Sequence, residues 1–122
     1  MDKSQALDYF WNQFNIPAFD EASVPDDTPF PYITYSVITD SLNNVVNLNA
    51  SIWDKSTSWK RISVKADEIA QSLGENGYNI IKLDEGYVWL VKGVPFAQRM
   101  ADPEKDIKRI FLNVQAEFLT AY

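Results

Sequence analysis

Residues 109–119 alternate so strictly between apolar and polar side chains that they constrain the fold more than any other stretch. Ile110, Leu112, Val114, Ala116 and Phe118 take one side, and Arg109, Phe111, Asn113, Gln115, Glu117 and Leu119 take the other. A period of two sends the two sets to opposite faces of a pleated strand, whereas a helix would scatter both around its circumference. Val46, Leu48, Ala50 and Ile52 alternate in the same way with Asn47, Asn49, Ser51 and Trp53. Both stretches predict half-buried strands, and a half-buried sheet needs a second layer on its apolar face. Trp53 falls on the mostly polar side of its strand.

Two helical segments can supply that layer. Leu7, Phe10, Trp11 and Phe14 stand at i, i+3, i+4 and i+7, with Ser4 as the expected N-cap and Pro17 as the stop. Trp59, Ile62, Ala66, Ile69, Ala70 and Leu73 repeat the helical spacing. Residues 54–58 (Asp-Lys-Ser-Thr-Ser) offer caps before them, and Gly74 or Gly77 can close the helix. Between the first helix and the next strand runs a loop, residues 16–31, punctuated by Pro17, Pro25, Pro29 and Pro31. It is too long for a routine connection.

Ile33, Tyr35 and Val37 then alternate with Tyr32, Thr34 and Ser36. A turn at Asp40-Ser41-Leu42-Asn43-Asn44 would pair this strand with the one beginning near Val46 as an antiparallel hairpin. A second hairpin is expected where Ile80–Leu83 and Tyr87–Val91 flank Asp84-Glu85-Gly86, with Gly93-Val94-Pro95 ending it. The expected fold is α+β, one domain over residues 1–122. It is a mainly antiparallel sheet of four to five strands with two helices packed on one face.

A chain of 122 residues suits one domain. Folding at this size removes roughly two-thirds of the unfolded surface from water, enough for a core without staples. The 46% hydrophobic content argues against disorder. With no cysteine and no histidine, a disulfide scaffold, a thiolate nucleophile, a Ser-His triad, an imidazole base and an ordinary zinc site are excluded. The opening Met1-Asp2-Lys3-Ser4-Gln5 predicts no secretory signal, and no uncharged apolar run reaches membrane-span length. A cytoplasmic product with no membrane partner is the expectation.

Charge is divided along the chain. Residues 1–54 hold eight acids against Lys3 alone, a net −7, and residues 55–122 hold nine acids and ten bases, a net +1. The acidic part disfavours tight wrapping of nucleic acid, which needs clustered Lys and Arg. It suits a surface that nucleic acid passes without sticking, one that meets a basic partner, or a solubilising exterior.

No constellation nominates a catalytic or metal site. Asp102, Glu104 and Asp106 have the spacing that opens a calcium loop, but Ile107 stands where the loop needs glycine and Asn113 where it needs glutamate. Asp26-Asp27 and Asp84-Glu85 read as turn residues rather than acid–base pairs. The expectation is a protein that is not an enzyme and uses no cofactor or metal. Trp11 and Trp59 fall on predicted core faces, whereas Trp53, Tyr87 and Trp89, with Phe111 and Leu119, share a sheet face that the helices leave uncovered. Such a face is a subunit interface or a small-molecule binding surface.

At Pro29-Phe30-Pro31-Tyr32-Ile33-Thr34-Tyr35, after a helix and an acidic Pro-containing loop, the chain resembles the tail-terminator proteins of long-tailed bacteriophages, also called tail-completion or head–tail joining proteins. The resemblance runs on through the polar strand 47–53, the second helix, the Tyr87–Val91 strand and the closing strand. It implies an α+β subunit of a homo-oligomeric ring, usually a hexamer, in the virion at the head-proximal end of the tail. Such a ring would be assembled in the host cytoplasm. It would stop tail-tube polymerisation and present a docking surface to a neck or connector protein, with DNA only passing through its channel.

No catalytic residue is carried over. Phe30, Tyr32, Trp53, Tyr87, Trp89 and Phe111 become candidate subunit or tube contacts, and Asp20, Glu21, Asp26 and Asp27 candidate acids of the channel wall. The alternatives are another head–tail connector component (a stopper or adaptor) and an acidic inhibitor that mimics DNA.

Overall fold

A strand with one apolar face is stable only when neighbours complete its backbone hydrogen bonds and another layer dries that face. The computed structural model describes residues 2–37, 45–73 and 78–120. In chain order the elements are α1 (Lys3–Trp11), β1 (Ala18–Asp20), β2 (Tyr32–Tyr35), β3 (Val45–Lys55), α2 (Lys60–Ser72), β4 (Tyr78–Leu83), β5 (Gly86–Met100) and β6 (Ile107–Thr120).

The strands form one sheet in the order β1-β2-β3-β6-β5-β4. Neighbours are antiparallel except β1 and β2, which run parallel. The architecture is the expected α+β single domain, but its sheet is mixed and has six strands rather than four or five.

Both helices cover the same face. Leu7, Phe10 and Trp11 of α1 and Ile62, Ala66 and Ile69 of α2 join Ile33, Leu48, Ile52, Val88, Leu90, Leu112 and Phe118 in one buried core. Each fully buried Leu, Ile or Phe contributes about 1.5–3 kcal/mol relative to exposure. The alternation in β3 and β6 is thus spent as its pattern requires, with Leu48, Ala50 and Ile52 of β3 and Ile110, Leu112, Val114, Ala116 and Phe118 of β6 inward. α1 touches both β1 and β4, the outermost strands, so the sheet curls around it. The Asn12 side chain finishes the β1 edge: its Oδ1 accepts the Ala18 N–H at 3.1 Å, and its Nδ2 donates to the Ala18 carbonyl at 3.3 Å. An edge that would otherwise template strand addition is closed by a side chain.

Several local expectations are overturned. Asp2, not Ser4, caps α1: its carboxylate accepts the Gln5 N–H at 2.8 Å while Gln5 Oε1 accepts the Asp2 N–H at 3.0 Å, a reciprocal box. The loop expected over residues 16–31 opens with β1, too short to show a period.

The N-cap residue of α2 is Trp59, which makes no side-chain capping bond; of residues 54–58, Ser58 does reach the helix start, its Oγ accepting the Lys60 N–H at 3.1 Å. Asp54 is instead entirely buried at the end of β3, where Arg61 grips it with Nε at 3.0 Å from Oδ2 and Nη2 on Oδ1. This bond raises the pKa of the Arg61 guanidinium further. Trp59 is only half-buried, its ring flanked by Arg99 at 4.9 Å and Lys108 at 5.7 Å.

Gly93-Val94-Pro95 does not end a strand either. From Lys92↔Val114 to Ala97↔Leu112, β5 advances five residues while β6 advances two, so three extra residues bulge outward and β5 then resumes. The odd insertion switches parity, with Val88 and Leu90 inward before it and Ala97 and Arg99 paired with inward β6 residues after it.

In the second hairpin, Gly86 closes the Asp84-Glu85 turn at φ 128°, a conformation for which only glycine is unstrained. The expected turn at 40–44 and the stop at Gly74 or Gly77 lie outside the described residues. Among the described residues no helix is long and apolar enough to cross a membrane.

Candidate functional site

Because β6 lies between β3 and β5, its odd-numbered side chains meet those of both neighbours on the face that carries no helix. The register sets Trp53 opposite Arg109, Ser51 opposite Phe111, and Tyr32 opposite Trp53. The Arg109 guanidinium carbon lies 4.7 Å from the centre of the Trp53 ring and 5.8 Å from that of Phe111. Its Nε donates to Ser51 Oγ at 2.9 Å, and Ser51 is buried. Trp53 is itself held, its Nε1 donating to Thr34 Oγ1 at 2.9 Å. A cation on two aromatic faces with one nitrogen tethered to a buried hydroxyl has little freedom left.

Around this group opens a cleft of about 300 Å³, walled by Tyr32, Thr34, Asn49, Trp53, Arg109 and Phe111 and, from the loop after β1, by Glu21 and Val24. Tyr32 extends the aromatic surface to the sheet edge, with Phe30 at 5.2 Å and Phe19 at 6.3 Å between ring centres. Partial burial among them raises the Tyr32 hydroxyl above its ordinary pKa.

Four of the six expected contact residues, Phe30, Tyr32, Trp53 and Phe111, therefore converge. Tyr87 and Trp89 do not join them. They pair with Leu119 and Glu117 at the other end of β6. Glu117 is eight residues from Arg109 on that strand, roughly 25 Å at about 3.3 Å per residue. Trp89 is 38% and Tyr87 48% exposed, and Ile80, opposite Trp89, enlarges this second patch.

Between the two patches the floor is amide: Asn47, Asn49, Asn113 and Gln115 line a second depression of about 320 Å³ beneath the β5 bulge. The bulge is held down by the Asn113 Nδ2 bond to the Pro95 carbonyl at 2.8 Å, and Val94 at its crest is 98% exposed.

The acids expected on a channel wall are dispersed. Asp20 borders a different cleft with Asp8 and Tyr35. Glu21 reaches the Arg109 cleft. Asp26 and Asp27 are exposed on the loop that follows, where Asp27 has a φ of 57°. The Asp102, Glu104, Asp106 spacing forms a turn, with Asp102 Oδ1 accepting the Glu104 N–H at 3.0 Å. Among the described residues no group of three or more acids is arranged to hold a metal ion.

The arrangement can recognise by charge, stacking and hydrogen bonding. Arg109, its anchor Ser51 and the Thr34 hydroxyl that holds Trp53 were not singled out by sequence reasoning. Arg109, Phe111 and Trp53 share an odd parity, but that becomes a contact only when β6 is known to pair with β3. No family model matches the chain, and no curated protein matches it.

Proposed function

We propose that this chain is a structural subunit of a phage tail terminator, forming a ring, hexameric by resemblance, that caps the head-proximal end of the tail tube and joins it to the neck. The observation that carries the reading is the uncovered sheet face with aromatic patches at two separate ends. A ring built head to tail needs two different surfaces on each subunit, because each copy meets a left and a right neighbour through unlike patches. The Tyr32–Trp53–Phe111 patch and the Tyr87–Trp89 patch are unlike and far apart on one face. The entry sequence from Pro29 to Tyr35 adds the family resemblance.

Capping is steric on this reading: one ring face matches the last ring of the tube, and the other does not nucleate the next. Exposed acids left unpaired in the ring would keep DNA from adhering during passage.

Light scattering behind a sizing column, on the protein alone and then with tail-tube protein, tests the reading. A ring-sized species, or capped short tubes in the mixture, is the expected result. A monomer that leaves tube length unchanged would overturn it and direct the search to stopper or adaptor roles, which require neck partners and not tube ends.

A further inference from the structure

We infer that the Arg109 cleft receives a carboxylate from the Asp26–Asp27 loop of a second copy of this chain, making it one half of the contact by which the subunits associate. The inference rests on the self-association proposed above and names one polar contact within it, beside the two aromatic patches.

Arg109 is prepared for such a partner. Ser51 holds Nε, Trp53 and Phe111 flank the guanidinium plane, and the two terminal nitrogens make no hydrogen bond or ion pair among the described residues. A guanidinium presents its donors as a fork that matches a carboxylate, and a pre-oriented fork loses little entropy on binding. The cleft, at about 300 Å³, has room for a side chain rather than a folded element.

The occupant is suggested by charge. Each copy carries a net −6, so approach of two copies is repulsive unless acids meet cations. Glu21, Asp26 and Asp27 form no ion pair among the described residues. Asp26 and Asp27 stand exposed on a turn closed by the Thr28 hydroxyl on the Pro25 carbonyl at 2.5 Å. Glu21 lines the same cleft without pairing with Arg109, and its charge opposes an incoming carboxylate. Removing it should therefore strengthen association.

Sedimentation velocity of the full chain over a concentration series tests this at low and high salt. Wild type should self-associate, more weakly at high salt. Arg109→Gln alone, and Asp26→Asn with Asp27→Asn, should each raise the dissociation constant at least tenfold. All three changes together should do no more than either set alone, because both remove one shared contact. Glu21→Gln should lower the constant.

The aspartate pair lies on an exposed turn, and asparagine accepts the positive φ at position 27. That variant therefore stays informative even if Arg109→Gln folds poorly. Unchanged association in the aspartate variant, or effects that multiply in the combined variant, would overturn the inference while leaving the ring reading standing. A wild type that is monomeric throughout would overturn the inference and leave the ring reading to the tube-capping assay. Binding of an oligonucleotide that depends on Arg109 would overturn it in favour of a phosphate ligand.

Discussion

Gly93→Ala tests the account of the β5 bulge, because the geometry there leaves no room for one extra carbon. A Cβ built at Gly93 meets Asn113 Cβ at 2.7 Å, the Asn113 carbonyl oxygen at 3.0 Å and its carbonyl carbon at 3.2 Å. Carbon pairs rest at about 3.5–4.0 Å, so the strands must part by roughly an ångström. None of these three atoms is the free end of a flexible side chain, and forced overpacking of this kind costs about 1–3 kcal/mol. Parting the strands also stretches the Asn113 Nδ2 bond to the Pro95 carbonyl, now 2.8 Å, whose loss adds about 1 kcal/mol. The sum is a destabilisation of about 2–4 kcal/mol.

Urea denaturation followed by tryptophan fluorescence measures it. With a slope of about 1.5 kcal/mol per molar for a domain of this size, the midpoint should fall by at least about 1 M. Val94→Ala is the control: its side chain is 98% exposed, so its stability should stay within about 0.5 kcal/mol of wild type. A Gly93→Ala midpoint indistinguishable from wild type would refute the close approach of β5 to β6. A fall of equal size in Val94→Ala would show that the bulge is packed differently.

Three further outcomes follow from the same structure. Asp2→Ala should destabilise by about 1 kcal/mol through loss of the capping box, while Ser4→Ala leaves the melting temperature unchanged, a contrast that calorimetry reads directly. Tyr35 is buried and donates to Asp8 Oδ1 at 2.9 Å, and burial first and that bond second raise its pKa well above the ordinary value near 10. The folded state thus holds this proton more tightly than the unfolded state, so the Tyr35 contribution is intact below about pH 10 and falls away above it. In Tyr35→Phe, stability against pH should lack that part of the alkaline decline. Phe118→Ala, at a core position 1% exposed, should cost about 3–5 kcal/mol by equilibrium unfolding.

The elements that could be read ahead of the structure are those whose signal is local. The apolar face of α1 and the parity of β3 and β6 each repeat often enough within their own segment to be recognised. β1 could not be read, since Ala18–Asp20 is three residues long and becomes a strand only because Asn12 and β2 complete its hydrogen bonds. Pro95 was a sound stop signal by local rules, yet a bulge removes its missing N–H from the ladder, and β5 continues. Asp54 resembled a cap by residue type, and the approach of Arg61 made it a buried ion-pair partner instead. In the candidate site, Trp53 and Phe111 were legible as aromatics off the core face and Phe30 and Tyr32 only through the Pro29–Tyr35 resemblance, while Arg109 read only as one more polar residue in an alternating strand.

The sequence by itself determined the periods, the sidedness of each strand, the two helix faces and the separation of an acidic first part from a balanced second part. Those are properties of the backbone's own repeat and of side chains a few positions apart. The tertiary structure alone decided that β6 enters between β3 and β5, that α1 spans the two outer strands, and that Trp53 therefore stacks on an arginine 56 positions further along the chain. Strand order is chosen by which pairing buries the most apolar surface while completing every backbone hydrogen bond. That sum runs over the whole chain, and no single stretch of it carries the answer.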